Sequence, residues 1–370
     1  MPGRCGEHRG VTVLSPADVR SLRLRAQRLA PRDTSGDAAA VVRAVGAIQS
    51  QDPRAAALAL RARGTGFHTD DVERMRVQDR SAVRTWCQRA TMHLVPAEDV
   101  GWLLRLLGPT LLAARERNFR RMGLDEDTYA AAARVLRDAL ADGPMTRAEI
   151  GQRWEAAGID ASGSRLPHMI TRAAIELEVC DGPDRDGERT WVRLADWAEV
   201  PDGPEGEAAL SELARRYLAG HGPAEPRDLA AWSGVKVSDA RAAWTLIGDQ
   251  LEEVPTTAGP RWLLNGQGEG EPVDEAPVVR LLGGFDAYLL GYHDRELAVP
   301  PPHTKAVSAG GLRVLPAVTV DGVAVATWRL QRRRGKAQIE VQPFSTLEPG
   351  LLDQEVADIG RFLNTPATLT

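Results

Sequence analysis

Residues 46–63 read GAIQSQDPRAAALALRAR and place two glutamines, Gln49 and Gln51, one residue apart between two helical patterns. Upstream, Val41, Val45 and Ile48 fall on one helical stripe. Downstream, Asp52 and Pro53 form an N-cap and first-turn pair for a helix that should stop near Gly64. If the first helix ran on through the glutamines, the two amides would stand about 200° apart and could not share a substrate. Pro53, however, disfavours the helical conformation at Asp52, so an extended link is expected. On an extended chain, residues two apart point the same way at roughly 6.5 to 7 Å. Both amides would then face one groove, with Ser50 turned to the opposite side.

Working outward, SPADVRSLRLRAQRL from Ser15 has a capping serine, a proline at the first helical position and Val19, Leu22 and Leu29 at helical spacing. DDVERMRV suggests a further amphipathic helix, and VRTWCQRATMHLV alternates as a short strand pair. Three helices followed by a β-ribbon is the layout of a winged helix-turn-helix. The pattern recurs twice, each time with Gly-Pro, a short spacer and an arginine: Gly143, Pro144 and Arg147, then Gly222, Pro223 and Arg227. Beyond a Gly/Pro/acidic linker, VVRLLGGFDAYLLGY, GLRVLPAVTVDGVAVATWRLQ and KAQIEVQPF are β-branched, alternating runs with turns at Asp321-Gly322 and Arg334-Gly335.

The expected fold is therefore α+β, with three tandem winged helix-turn-helix modules followed by a β-rich C-terminal domain. Residues 1–14 are expected to be disordered. The first module spans 15–122 and includes the glutamine element and a long connecting helix; the second spans 123–200 and the third 201–264. The linker covers 265–277, and the β-rich domain covers 278–370, with a last helix from about 350 to 364.

With 370 residues, 43% hydrophobic and 26% charged, the chain can form several packed cores. No apolar run approaches the ~18 to 20 residues of a membrane span, and the opening MPGRCGEHRG lacks an apolar signal core. Cys5, Cys87 and Cys180 are odd in number and far apart, which fits a reducing cytoplasm. The histidines are scattered singly, so no metal or other cofactor is expected, and there is neither a phosphate-cradling glycine loop nor a GxSxG elbow. The net charge of −5 is unevenly divided: residues 1–122 carry 21 Lys and Arg against 12 Asp and Glu, whereas 123–276 carry 15 against 30. A polyanionic partner fits the first part, because counterion release depends on local charge; surface solvation is the alternative.

At this point the chain resembles the AlkZ-like DNA glycosylases. The matching phrases are IQSQDPRAAALALRAR, RTWCQRATMHLVPAEDVGWL, AAWSG, GFDAYLLGYHDR and LPAVTVDGVAVATWR, which together span about residues 15–365. The resemblance implies winged-helix modules and a barrel-like domain around a DNA channel, acting as a monomer on double-stranded DNA. It implies hydrolysis of the N-glycosidic bond of N7-alkylated purines, and in some members of bulky adducts or interstrand crosslinks left by natural-product alkylators. In that family a Gln-x-Gln element carries catalysis and matches Gln49 and Gln51; other members have a carboxylate in the second place.

A purine alkylated at N7 is cationic and already a good leaving group. Two neutral amides could then suffice: Gln51 would orient a water at the sugar C1′ and Gln49 would assist. Asp52 is more simply spent as a helix cap. Arg89, Thr91 and His93 alternate on a presumed strand and could contact phosphate or the lesion, or pack within their own module. Arg332, Arg333, Arg334 and Lys336 form a basic hairpin tip suited to phosphate or groove contact, or a solvated turn. Residues 303–313 could form another groove-entering hairpin. Asp286, Tyr288, Asp294 and Arg295 suggest a structural cluster, with Arg295 buried against an acid. The rival readings are a non-catalytic winged-helix regulator, which usually uses a basic recognition helix, and a protein that sequesters a free genotoxin.

Overall fold

The structure is a computed structural model and describes residues 13–269, 277–308, 310, 313–333 and 335–370. Helix α1 (Pro16–Ala26) opens with a reciprocal cap: the Ser15 hydroxyl accepts from the Asp18 N–H, and the Asp18 carboxylate accepts from the Ser15 N–H. A first unit follows, made of α2 (Ala38–Val45), β1 (Ile48–Gln49), α3 (Pro53–Arg63), α4 (Thr69–Val77) and the hairpin β2 (Ala82–Trp86) and β3 (Met92–Pro96). Next come α5 (Ala97–Ala113) and α6 (Glu116–Arg121), so the expected single connecting helix is broken around Ala114 and Arg115.

The second unit repeats the succession in α7 (Glu126–Leu140), β4 (Met145–Thr146), α8 (Arg147–Ala156), α9 (Arg165–Ile175), β5 (Val179–Asp181) and β6 (Thr190–Arg193). After the short α10 (Leu194–Trp197), the third unit comprises α11 (Gly206–His221), α12 (Pro226–Ser233), α13 (Val237–Leu246), β7 (Leu251–Thr256) and β8 (Gly259–Leu264). In the first two units the short early strand joins the last strand of the hairpin, giving the orders β1-β3-β2 and β4-β6-β5. In the third unit that strand shrinks to a single bridge between Ala224 and Trp262. The tryptophans at 102, 154, 232, 244 and 328 are all buried, as their spacing on apolar faces suggests.

The C-terminal part contains β9 (Val279–Leu282), α14 (Ala287–Leu290), α15 (Thr304–Val307), β10 (Ala317–Val320), β11 (Val323–Arg333), β12 (Lys336–Pro343), α16 (Asp353–Phe362) and β13 (Ala367–Leu369). Two expectations are corrected here. The segment GFDAYLLGY is not a strand: Asp286 caps α14 by accepting from the Tyr288 N–H at 2.9 Å. The chain does not finish on its last helix, because β13 returns to lie parallel to β12. The sheet of this β-rich part is a curled half-barrel in the order β13-β12-β11-β10-β9, open between β13 and β9.

Helix α3, which follows the glutamines, is gripped by this sheet. Its Arg61 and Arg63 side chains are fully buried: Arg61 donates to Glu355, Asp358 and the Leu281 carbonyl, and Arg63 to both oxygens of Asp286 and to Gln27. Gly283 allows the approach, since a side chain there would meet the Ala55 carbonyl at 2.7 Å. On the other side, Gly220 of α11 lies against the end of α2, where a Cβ would meet the Ala44 carbonyl at 2.6 Å. The link that bears the glutamines is thus held between the third unit and the C-terminal sheet.

Burial also revises the charge reading. Within residues 1–122, Arg23, Arg61, Arg63, Arg76 and Arg84 are buried and spent on internal partners. The basic excess of the first part is therefore smaller on the surface than in the sequence.

Candidate active site

Gly46 ends α2 with φ at +82°, and its backbone lies against Trp232 of α12, whose ring a Cβ would meet at 3.3 Å. The chain then runs extended. Ile48 and Ser50 are buried, Gln49 is half-buried and Gln51 exposed, so Ser50 faces opposite to the glutamines as extended geometry requires. Asp52 accepts from the Arg54 and Ala55 N–H groups, and its carboxylate is spent on the cap of α3.

Ile48 pairs with Leu94 and Gln49 with His93, while the Ser50 N–H donates to the Met92 carbonyl at 2.7 Å. Gln49 Oε1 accepts from Arg89 Nη2 at 3.4 Å, and Gln51 Oε1 accepts from the Met92 N–H at 3.3 Å. Both contacts are long, which leaves the amides readily diverted to a water or a substrate.

The residues expected to alternate with Arg89 on one strand do not share a face. Arg89 lies in a short 3-10 turn, Gln88–Ala90, with φ of +51°. Its guanidinium reaches across to the Ala231 and Trp232 carbonyls at the end of α12. Burial, with a smaller push from the charge of Arg295, holds its pKa down at about 10. Thr91 is half-buried and donates to the Gln88 carbonyl. His93 is only 1% exposed and lies within the sheet, its Nδ1 donating to the Thr91 carbonyl at 2.9 Å. Desolvation, with help from Arg89, pushes the His93 pKa down to about 3, so the ring is neutral.

At the far hairpin, Arg332 and Lys336 are exposed near the β11–β12 turn and Arg333 pairs with Lys336 in register. Arg334 lies outside the described residues. In 303–313, His303 stacks on Phe344 with ring centroids 4.3 Å apart and Val307 is buried, while Ala309, Gly311 and Leu312 lie outside the described residues.

Sequence reasoning missed two features. Ser50, between the glutamines, is held by the buried Arg84 of β2, whose Nε and Nη2 donate to the Ser50 carbonyl at 3.1 and 2.9 Å. Arg84 Nη1 in turn donates to Asp181 of β5 at 2.6 Å. An inward-facing arginine in the alternation VRTW was the available signal. Second, Arg295 is not buried against an acid; Arg63 occupies Asp286 instead. The Arg295 Nε is buried without a partner, no carboxylate pairs with it among the described residues, and burial lowers its pKa.

Cys87 and Cys180 are buried free thiols, with Cys87 pushed up to about 12 by desolvation. Among the described residues no group of three or more His, Cys, Asp or Glu could hold a metal ion, and no helix is long and apolar enough to cross a membrane.

The family model for AlkZ-like DNA glycosylases matches residues 42–362, from the helix before the glutamines to the end of α16. The chain belongs to the AlkZ-like DNA glycosylase family. Membership carries the enzyme class, a hydrolase of N-glycosyl bonds, and disfavours the regulator reading. A curated relative, the interstrand DNA cross-link repair glycosylase of Streptomyces sahachiroi, is 28% identical over 362 residues, covering 92% of this chain and 94% of the relative. The solved structure of the Streptomyces sahachiroi DNA glycosylase AlkZ shares the fold. It has a TM-score of 0.81 and 24% identity, over 97% of this chain and all of that one.

Proposed function

We propose that this AlkZ-like chain is a monofunctional DNA glycosylase that removes N7-alkylated purines from duplex DNA, including bulky adducts and interstrand crosslinks. The observation that carries the reading is the extended Gln49-Ser50-Gln51 link, with the glutamines turned away from buried Ser50 and Arg89 bonded to Gln49, where the charge of Arg295 reaches it. The name of the Streptomyces relative, an interstrand DNA cross-link repair glycosylase, supports the crosslink part. The chain's only lysines are Lys236, Lys305 and Lys336, none near the glutamines in sequence, which favours simple hydrolysis over lyase chemistry.

In this mechanism Gln51 accepts a hydrogen bond from a water and holds it at C1′, while Gln49 steadies the water or the sugar. A neutral amide is a weak base, so the rate comes from placing the water and from the lability of the cationic base. Arg89 and Arg295, close enough for the charge of one to act on the other and neither paired with a carboxylate among the described residues, would take the phosphate next to the lesion. Arg332, Arg333, Arg334 and Lys336 would contact the backbone farther along, with Thr91 at the margin of the site. His93 would support the strand from beneath.

We read the three repeated units as winged helices, because a short strand between the first two helices that pairs with the last strand of the hairpin is the pattern of that motif. The unit boundaries 15–122, 123–200, 201–264 and 278–370 follow from that reading. The direct test is incubation with an N7-methylguanine duplex and with a crosslinked duplex, followed by alkaline cleavage of abasic sites. Strand breaks at the modified purine are expected; intact strands from both substrates would overturn the proposal.

A further inference from the structure

In a regular antiparallel ladder, Ser50 and Met92 would exchange both backbone hydrogen bonds. Only one is made: the Ser50 N–H donates to Met92, while the Met92 N–H donates to the Gln51 side chain. The Ser50 carbonyl has been turned away to Arg84, which holds it through Nε and Nη2 and also holds the Ser50 hydroxyl at 3.0 Å. That turn of one peptide ends the ladder between the glutamines and sends Gln51 outward over Met92.

Arg84 is itself fixed from outside the first unit. Its Nη1 reaches Asp181 at 2.6 Å, and Asp181 is completely buried between Arg84, Arg76 at 3.4 Å and Arg189 at 3.1 Å. Arg76 also donates to the Gly182 carbonyl at 2.6 Å, which ties the end of α4 to the same strand of the second unit. Burial pushes the Asp181 carboxyl up and the Arg84 guanidinium down, against the pull of their pairing. Each group is costly to bury alone, so removing either would leave the other as an uncompensated buried charge.

We propose that Arg84 and Asp181 are positioning residues for the glutamine pair, so that the acidic second unit serves the reaction by clamping Ser50. This rests on the catalytic role proposed for Gln49 and Gln51. Glutamines that act by placing a water depend on being held to within about 0.5 Å, and supporting hydrogen bonds supply that precision.

The test is single-turnover base release from an N7-methylguanine duplex by Arg84→Lys, Asp181→Asn and Ser50→Ala, with Trp154→Phe as a control. Trp154 lies in the core of the second unit, bonded to the Ala132 carbonyl and apart from the clamp. Arg84→Lys keeps a charge for Asp181 but loses the planar fork that grips Ser50. For Arg84→Lys and Asp181→Asn, rates at saturating enzyme should fall about tenfold or more, with the duplex Kd and the circular dichroism spectrum unchanged. Ser50→Ala, which keeps the carbonyl acceptor and the fold, should fall about threefold and carries the test if the other two variants unfold. Clamp-variant rates within twofold of wild type, or an equal fall in Trp154→Phe, would overturn the inference while leaving the glycosylase reading in place. No release by the wild-type protein would remove both.

Discussion

Gln51 and Gln49 differ in what they touch, and their substitutions should differ accordingly. Gln51 is exposed and, among the described residues, its side chain bonds one backbone N–H, whereas Gln49 is half-buried and leans on Arg89. Gln51→Ala is expected to slow base release by about 100-fold, at the low end for a positioned base, and Gln49→Ala by less; unchanged rates in both would end the proposal. The double variant should lose less than the product of the two, because both act on one water. Neither amide titrates, and His93 beneath them stays neutral with its pKa near 3. The single-turnover rate should therefore be flat between about pH 6 and 9, the range over which neutral glutamines and arginines keep one charge state. A bell-shaped profile would point to an acid or base in place of the glutamines.

Among the elements, α3 connects the site to the rest of the protein. Its Arg63 and Asp286 bury a paired charge with neither side chain exposed. Asp286→Ala leaves Arg63 uncompensated and removes the cap of α14, so a loss of about 3 to 5 kcal/mol is expected in urea denaturation. The β11–β12 hairpin is the opposite case, with Arg332 and Lys336 in solvent. Replacing both with alanine should leave the Tm unchanged and weaken duplex binding. It should also lower the dependence of log Kd on log salt by about 2 if each contacts a phosphate. These elements were unequally visible beforehand. The caps Ser15 and Asp52 identify themselves through local side-chain chemistry, whereas GFDAYLLGY alternates like a strand and is a turn of helix because Asp286 is held by Arg63 from a distant helix.

The whole molecule couples its cores through buried polar groups, and its stability should show this in acid. His93 and His221 are fully buried, each held neutral by desolvation with a pKa of about 3. In the unfolded chain each takes up a proton near pH 6.5, so below that pH the unfolded state binds more protons. Their contribution is complete above about pH 6.5 and is lost as pH falls toward 3, at up to about 1.4 kcal/mol per pH unit for each histidine. Thermal melts from pH 7.5 to 4.5 should record this, and His93→Gln should flatten the slope. Local order determined much by itself: the capped helices, the extended link forced by Pro53, the opposite facing of Ser50, and the two neutral amides. Those depend on neighbours in sequence, which proline geometry and side-chain alternation control directly. The tertiary structure alone decided that His93 is buried, that Arg295 stands without an acid among the described residues, and that Asp181, 131 positions beyond Ser50, holds the arginine that grips it. Pairings at such separation depend on which faces pack together, and no local periodicity encodes a partner in another unit.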